Sequence, residues 1–551
     1  MFCGGYFSRI RCVIGGISLL TEHRGANRWI RTFFSIVVVG CILAQLLVFA
    51  YLGFQGFSRY CNSDTFADMQ VAKRMWEQKT LFPSGWTFGN QCYVVATPVL
   101  ASLLYGLLGN INLSMVLATE VMTVLILISF LWLVHAAVEE RLFRLVGCLT
   151  LITSVVAPYG VYSVNSMLFF SQASFYSCYL ITLFVVFGDY IRAFSSEKTR
   201  AVAWTLSLLL CFGTGMQSLR QTVIMILPIA AYELFIGLRN VLQHRKPWSG
   251  SDSRRLLRVL TYGGANLAGV LTTKLLHVAS APIFGDGNLS GADQLIEKFR
   301  AIVSAIAEIT GLEYLLEGGD CSRFIILLIV FPILLFLAAA PFWLARIKQR
   351  ETPLEQCWIL CVIGILGVFL STLVLNITLR GIYVFMWFPL VAFSALILLK
   401  KMPKVPQYLV TILVCLFSLG SLYYCYGPYV LETVNAETTD AQQMSQWAVE
   451  QGYSYVYGDY WGTAPQIAVC SEGKLDAGCW HGSENVFQVE AANTPQDIYG
   501  EAENAKAIYV FTDEDEVQGL QGAKDRWVSL TKAAEFGKYR AYTASIPLMD
   551  N

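Results

Sequence analysis

The sequence predicts a mainly α protein: a polytopic bundle of transmembrane helices, with outer surface helices and a small extracellular C-terminal α/β domain. Three observations predict it. Of 551 residues, 55% are hydrophobic and only 14% charged, against roughly 25% charged in an ordinary soluble chain. Long apolar runs recur from residue 32 to residue 425. The charge is also unevenly divided: residues 1–425 carry 32 Lys and Arg against 20 Asp and Glu, whereas 426–551 carry 7 against 19. So few charges cannot cover a water-facing surface, which excludes a soluble globular protein, a disordered chain and a nucleic-acid binder. The sign of the charge changes where the apolar runs stop, dividing the chain into a membrane domain, 1–425, and an external domain, 426–551.

A spanning helix needs roughly 20 mostly apolar residues. Such runs lie at 32–54, 145–160, 173–190, 201–217, 222–238, 259–278, 324–344, 357–376, 381–399 and 408–425. Residues 93–138 hold one further span near 121–138, preceded by an ambiguous apolar stretch. Lys and Arg cluster before the first span (Arg9, Arg11, Arg24, Arg28, Arg31) and in 192–200, 239–258, 346–350 and 400–404. The positive-inside rule places these in the cytoplasm. The first outer loop, 55–92, the second large outer loop, 277–323, and the tail are then external. Alternation demands an odd number of crossings within 93–138, so the total is 11 or 13. Residues 12–20 lack a cleavage site, and the first span reads as a retained anchor.

The first outer loop is the most informative segment. SDTFADMQVAKRMWEQ reads as a helix to about Gln78, with Thr65 and Asp68 at capping-box spacing. Phe66, Met69, Ala72 and Trp76 share one face, so the helix is expected to lie on the outer membrane surface. Asp64 and Asp68 sit at its start. Either carboxylate can serve as a cap; the functional reading makes Asp64 a general base facing a cavity.

Further along, Leu295, Phe299, Ile302, Val303, Ile306 and Ile309 repeat at helical spacing in the second outer loop, with Ser290 and Asp293 as its cap. In the tail, 440–451 reads as helix, and 453–457, 506–511 and 540–546 as strands. Trp461, Trp480 and Tyr460 offer either packing or a surface for a sugar. The acidic run at 513–516 lacks calcium-loop spacing. The 15 Cys and 5 His show no zinc pattern. Of the external cysteines, Cys61 with Cys92, or Cys470 with Cys479, are candidate disulfides.

The inside-to-outside first span, the acidic residue opening an external loop with a surface helix, and the many short spans resemble the GT-C superfamily. These are polytopic glycosyltransferases using lipid-phosphate sugars, among them protein O-mannosyltransferases, aminoarabinose transferases and oligosaccharyltransferases. SDTFADMQVAKRMWEQKTLFPSGW and, in the tail, YVYGDYWGTAPQIAVCSEGKL are similar to segments of a bacterial, uncharacterised subgroup assigned there. The resemblance implies a catalytic acidic residue at Asp64, with Asp68 as the alternative, and favours 13 spans. The tandem Asp-Glu of some O-mannosyltransferases is absent, which argues against that subgroup. Some relatives use a divalent metal; the loop's carboxylates do not by themselves make a site for one.

Arg220 and Arg380 lie at outer turns, and Lys274 within an apolar stretch. Ionisable groups at membrane depth are costly and seek a partner. A lipid phosphate is one such partner, and the arginine fork suits it; headgroup snorkelling or a structural ion pair is the alternative. The expected function is transfer of a sugar from a polyprenyl-phosphate-linked donor to a glycan, lipid or protein acceptor at the outer face of the membrane. The expected partners are that donor, membrane lipids and the acceptor, with no nucleic acid. A multi-span transporter or lipid flippase with an extracellular domain is the alternative, and inverted repeats would mark it.

Overall fold

The computed structural model describes residues 5–156, 176–193, 198–243, 247–248, 251–280, 289, 291–310, 352–435, 437–490, 493–495, 506–513, 515–546 and 548. The span expected at 324–344, the basic loop at 346–350 and Ser290 lie outside them.

Among the described residues, five helical segments are long and apolar enough to cross a membrane: residues 28–60 of α1 (Gly5–Tyr60), α4 (Ile111–Ala137), the segment Thr222–Leu242, α11 (Pro353–Val374) and α13 (Lys404–Val434). Further helices fill the bundle between them: α3 (Thr97–Leu108), α5 (Arg141–Val156), α6 (Ser177–Arg192), α7 (Lys198–Gln217), α9 (Ser251–Leu275) and α12 (Trp387–Lys401). The stretch 93–138 resolves into α3 and α4. At 1.5 Å per residue α3 is only about 18 Å long, against a hydrocarbon core of about 30 Å. It breaks at Gly109, in the left-handed region at φ 68°, and Asn110 caps α4 by accepting from the Leu113 N–H. Helices α7 and α9 touch backbone to backbone because Gly215 and Gly269 lack a Cβ; a methyl at either would lie 2.1 Å from a carbonyl oxygen. Small residues serve membrane helices in this way.

Helix α2 (Ser63–Glu77) corrects two expectations. Its cap is Asn62, whose Oδ1 accepts from the Thr65 N–H and the Thr65 hydroxyl, both at 2.8 Å. Thr65 and Asp68 form no capping box, and both carboxylates are released from that duty. Nor does α2 lie on the membrane surface. Phe66, Met69 and Ala72 pack into a core shared with Met444, Ile467 and Val469 of the tail. Its other side, Ala67, Val71 and Met75, packs on Trp86, Phe88 and Tyr93. The small apolar Ala67 and Val71 make a second buried face, so α2 is a wedge between bundle and tail.

Helix α13 continues past the charge boundary to Val434. The tail follows with α14 (Asp440–Glu450), β2 (Tyr455–Asp459), α15 (Ala464–Cys470), β3 (Asp476–Trp480), β4 (Thr494–Pro495), β5 (Ala507–Phe511), α16 (Glu516–Asp525), β6 (Leu530–Phe536) and β7 (Tyr539–Ala544). Its sheet has the order β3-β2-β5-β7-β6, with β3, β2 and β5 parallel and the rest antiparallel. A two-stranded ribbon ties β4 to β1 (Trp86–Thr87) of the first outer loop. Lys73 of α2 pairs with Asp476 at 3.0 Å, and the Asn112 amide donates to the Val469 carbonyl at 2.9 Å. The tail is therefore clamped onto the bundle through α2 and the head of α4.

At the other end of the bundle, Arg28, Arg31, Arg141 and Lys404 line one cavity of about 660 Å³. Two residues of the basic segment 239–258 are not solvated as their position in a loop suggests. Arg255 pairs with Glu233 at 2.9 Å, and Arg258 with Asp189, which also accepts from the Tyr262 hydroxyl. All four are buried, because α9 begins at Ser251 and carries both arginines inward.

Cys61 packs in the core shared with the tail and faces Cys470. Cys92 lies on the opposite side of α2, so Cys61 and Cys92 belong to different cores.

Candidate functional site

Asp64 stands two residues after the cap of α2, at the junction of bundle and tail. The Tyr460 hydroxyl, from the turn after β2, donates to its Oδ1 at 3.2 Å. Burial raises the Asp64 carboxyl above its usual range, while the Tyr460 hydrogen bond and the positive Arg380 draw it back. Burial and the adjacent carboxylate push the Tyr460 phenol well up, so it remains a donor. Asp68, one turn further on, is fully buried and faces the Tyr93 hydroxyl. The two carboxylates therefore differ: Asp64 is only partly covered, and Asp68 is enclosed.

Arg380 is exposed at the head of a 3₁₀ turn, Gly381–Val384. Helix α10 (Leu295–Thr310) positions that turn. Glu308 Oε2 accepts the Gly381 N–H at 2.6 Å, and Lys298 Nζ donates to the Ile377 carbonyl at 3.1 Å. Glycine at 381 leaves room for Glu308, since a Cβ would lie 2.7 Å from its carboxyl carbon. The stripe expected on α10 splits: Ile302 and Ile309 are buried, whereas Leu295, Phe299 and Val303 are exposed.

Arg220 lies between α7 and a π-helical turn, Thr222–Ile226, that opens α8 (Leu227–Leu242). Such turns often mark functional sites. Its guanidinium sits 4.6 Å from the Tyr383 ring centroid and 5.4 Å from that of Tyr176. Tyr383 belongs to the Arg380 turn, so the two arginines share one wall. Among the described residues neither forms an ion pair. The first loop joins the same wall: the Cys92 N–H donates to the Gln217 carbonyl at 3.1 Å, and the Tyr179 hydroxyl donates to Gln91 Oε1 at 2.7 Å. Lys274 is different. It is exposed in the last turn of α9, and none of its contacts among the described residues reaches Asp64.

Directly after Tyr93, Val94 and Val95 open a groove of about 1170 Å³ between α3, α4, α6 and α7. Its walls, including Leu103, Ile128, Val185 and Leu206, are overwhelmingly apolar. The junction of bundle and tail thus gathers a carboxylate and two arginines, and an apolar groove starts nearby at Val94. Among the described residues no group of three His, Cys, Asp or Glu is placed to hold a metal ion.

The chain superposes on the crystal structure of ArnT from Cupriavidus metallidurans bound to undecaprenyl phosphate, with a TM-score of 0.53. The match covers 93% of this chain and 99% of ArnT, at 10% identity. The chain has the ArnT fold. The crystal structure of ArnT in the apo state gives the same coverage, identity and TM-score. No family model and no curated protein matches the chain by sequence. The likeness bears out the expected fold, a bundle of membrane-length helices followed by a small sheet-containing C-terminal domain.

Sequence reasoning singled out Asp64, Arg220 and Arg380, which the fold gathers. It passed over Tyr93, Gln91, Tyr176, Tyr179 and Tyr383, which lie in apolar surroundings and carry no spacing signal. Tyr460 was visible only as an aromatic in YVYGDYWG, with no sign that it meets the first loop.

Proposed function

We propose that this protein transfers a sugar from a polyprenyl-phosphate-linked donor to an acceptor hydroxyl at the outer face of the membrane. The observation that carries this reading is the Asp64 carboxylate at the junction of bundle and tail, held by a neutral phenol at 3.2 Å and by no ion pair among the described residues. The ArnT fold, and the undecaprenyl phosphate in one ArnT structure, support the choice of donor. The donor's isoprenoid chain lies in the apolar groove that starts at Val94, and its phosphate meets Arg220 and Arg380. Asp64 takes the proton from the acceptor hydroxyl as its oxygen bonds to the anomeric carbon. The bond from that carbon to the phosphate oxygen breaks, and the polyprenyl phosphate leaves with its charge held by the arginines. Positioned general-base catalysis contributes about 10²–10⁴-fold, and electrostatic stabilisation of the leaving group adds to it. Asp68, enclosed behind Tyr93, supports the loop and does not reach the substrate; Lys274 has no part.

The orientation follows the charge. The basic cavity at Arg28, Arg31, Arg141 and Lys404 is cytoplasmic, and residues 28–60, about 48 Å of helix, carry the chain to Asp64 and the external tail. The test is turnover of a lipid-linked sugar in membranes containing Asp64→Asn. Transfer is expected to fall about 10²–10⁴-fold with the amount of protein unchanged. Activity retained in that variant would sink the assignment.

A further inference from the structure

The tail's sheet has a topological switch point. From β2 the chain crosses to β3 on one side, and the next long parallel strand, β5, lies on the other. In open α/β sheets the crevice outside the carboxyl ends of the strands at such a point is where ligands bind. Here those ends are Asp459–Trp461 and Phe511–Thr512. Tyr460, within the first, reaches across to Asp64. The crevice of the tail therefore adjoins Asp64.

Three aromatic residues stand near this edge, and the structure sorts them. Trp480 is fully buried against Phe487 and Phe511. Tyr460 is buried on Asp64. Trp461 is 53% exposed. An exposed indole next in sequence to the tyrosine that holds Asp64 is not explained by packing. It is also held firmly: Asp459 Oδ2 accepts the Trp461 and Gly462 N–H groups at 2.8 and 3.0 Å, and its Oδ1 accepts the Gly482 N–H at 2.8 Å. One carboxylate thus joins the turn after β2 to the turn after β3. Beside the indole, at 6.1 Å between ring centroids, stands His481, exposed and paired with Glu490 Oε2 at 3.1 Å.

A flat apolar ring on a rigid turn, flanked by an imidazole and a carboxylate, matches one chemistry well. The axial C–H face of a pyranose lies on an indole, and its hydroxyls donate to a carboxylate or accept from an imidazole. Ligand sites pair apolar and aromatic surface with a few placed polar groups in this way, and pre-organisation lowers the cost of binding. We infer that Trp461, His481 and Glu490 form the acceptor subsite, and that the acceptor is a glycan whose terminal pyranose stacks on Trp461 next to Asp64. This rests on the glycosyl-transfer reading and narrows it, since a lipid or protein acceptor has no need of the platform.

The test uses the full chain in nanodiscs on an array of immobilised pyranose oligosaccharides. The chain is expected to bind a subset of them. Trp461→Ala and His481→Ala should each weaken that binding about tenfold or more, in the range of a central aromatic contact. Trp527→Ala, at the 96% exposed tryptophan outside the subsite, serves as the surface control and should bind as the parent does. Asp64→Asn, assayed for both binding and transfer, separates the two readings. Binding by Asp64→Asn with transfer intact would remove the catalytic reading while leaving the platform. No binding to any oligosaccharide, or equal binding by Trp461→Ala, would overturn the platform. So would quenching of Trp461 fluorescence by brominated phosphatidylcholine, measured as the difference from Trp461→Phe, which would make the indole a bilayer anchor.

Discussion

The two ends of the bundle treat charge in different ways. At the basic end, Glu233 meets Arg255 and Asp189 meets Arg258, each carboxylate also accepting from a tyrosine and every partner buried. At the tail end, Asp64, Arg220 and Arg380 are partly or fully exposed, and among the described residues none is in an ion pair. Asp64 has a phenol, Arg220 has two aromatic rings, and Arg380 is held by its neighbour's backbone. A charge with a charged partner inside a protein is a structural element. A charge held by neutral groups retains its capacity to meet a ligand.

That contrast gives a graded set of expectations. Removing one partner of an inner pair leaves an uncompensated buried charge, costing about 3–5 kcal/mol. Glu233→Ala is therefore expected to lower thermal stability and membrane abundance sharply, with the activity of each surviving molecule retained. A variant that folds normally would break the comparison. At the outer end the loss should be of rate, not of protein. Arg380→Met and Arg220→Met are each expected to reduce transfer about 10²–10³-fold, as for other lost electrostatic stabilisers, with unchanged melting in detergent. A smaller effect is expected from Gly381→Ala, which forces Glu308 away and shifts the turn bearing Arg380; about tenfold in kcat is anticipated, since misplacement costs less than removal. The mildest is Tyr460→Phe. Asp64 must be ionised to act as a base, and its carboxyl is already raised by burial. Losing a hydrogen bond that lowers it moves the acid limb of the kcat/KM profile to higher pH, and Arg380→Met moves it the same way. A limb that stays in place or moves down would show that Asp64 is not the titrating group.

The sign of the Asp64 shift bears on its neutral replacement. A carboxyl raised in the folded state is one whose ionisation folding disfavours, so its contribution to stability falls as pH rises from the unfolded pKa through the folded one. Asp64→Asn removes that cost at neutral pH. Unchanged abundance is thus expected on physical grounds, which sharpens the activity test.

Much of the bundle was legible because a membrane imposes length and composition on every crossing. The runs at 32–54, 357–376 and 408–425 became α1, α11 and α13 for that reason. Charge placement indicated Arg220 and Arg380, since few reasons bring a guanidinium to an outer turn. What stayed hidden depends on contacts between distant residues. The helical face of α2 was visible, but not that the tail covers it, nor that Ala67 and Val71 make a second face against Trp86, Phe88 and Tyr93. Asn62 lost its role as cap to Thr65 in the sequence reading, because the pattern of Thr65 and Asp68 imitates a capping box. Replacing Asn62 by Ala should cost about 1 kcal/mol. In the same way Arg255 and Arg258 read as loop residues, since nothing local announces a carboxylate at 189 or 233.

The ribbon between β1 and β4 joins residues some four hundred positions apart, and the Tyr460 bond to Asp64 spans nearly the same interval. During synthesis, Asp64 leaves the ribosome long before its partner Tyr460 exists. The side of α2 that carries Phe66, Met69 and Ala72 then waits uncovered, in need of shielding, until the tail is delivered. A chain halted within the bundle therefore carries its carboxylate but not the phenol that holds it. The junction forms only when translation has passed the tail, so the long reach of this contact works as a check on completeness.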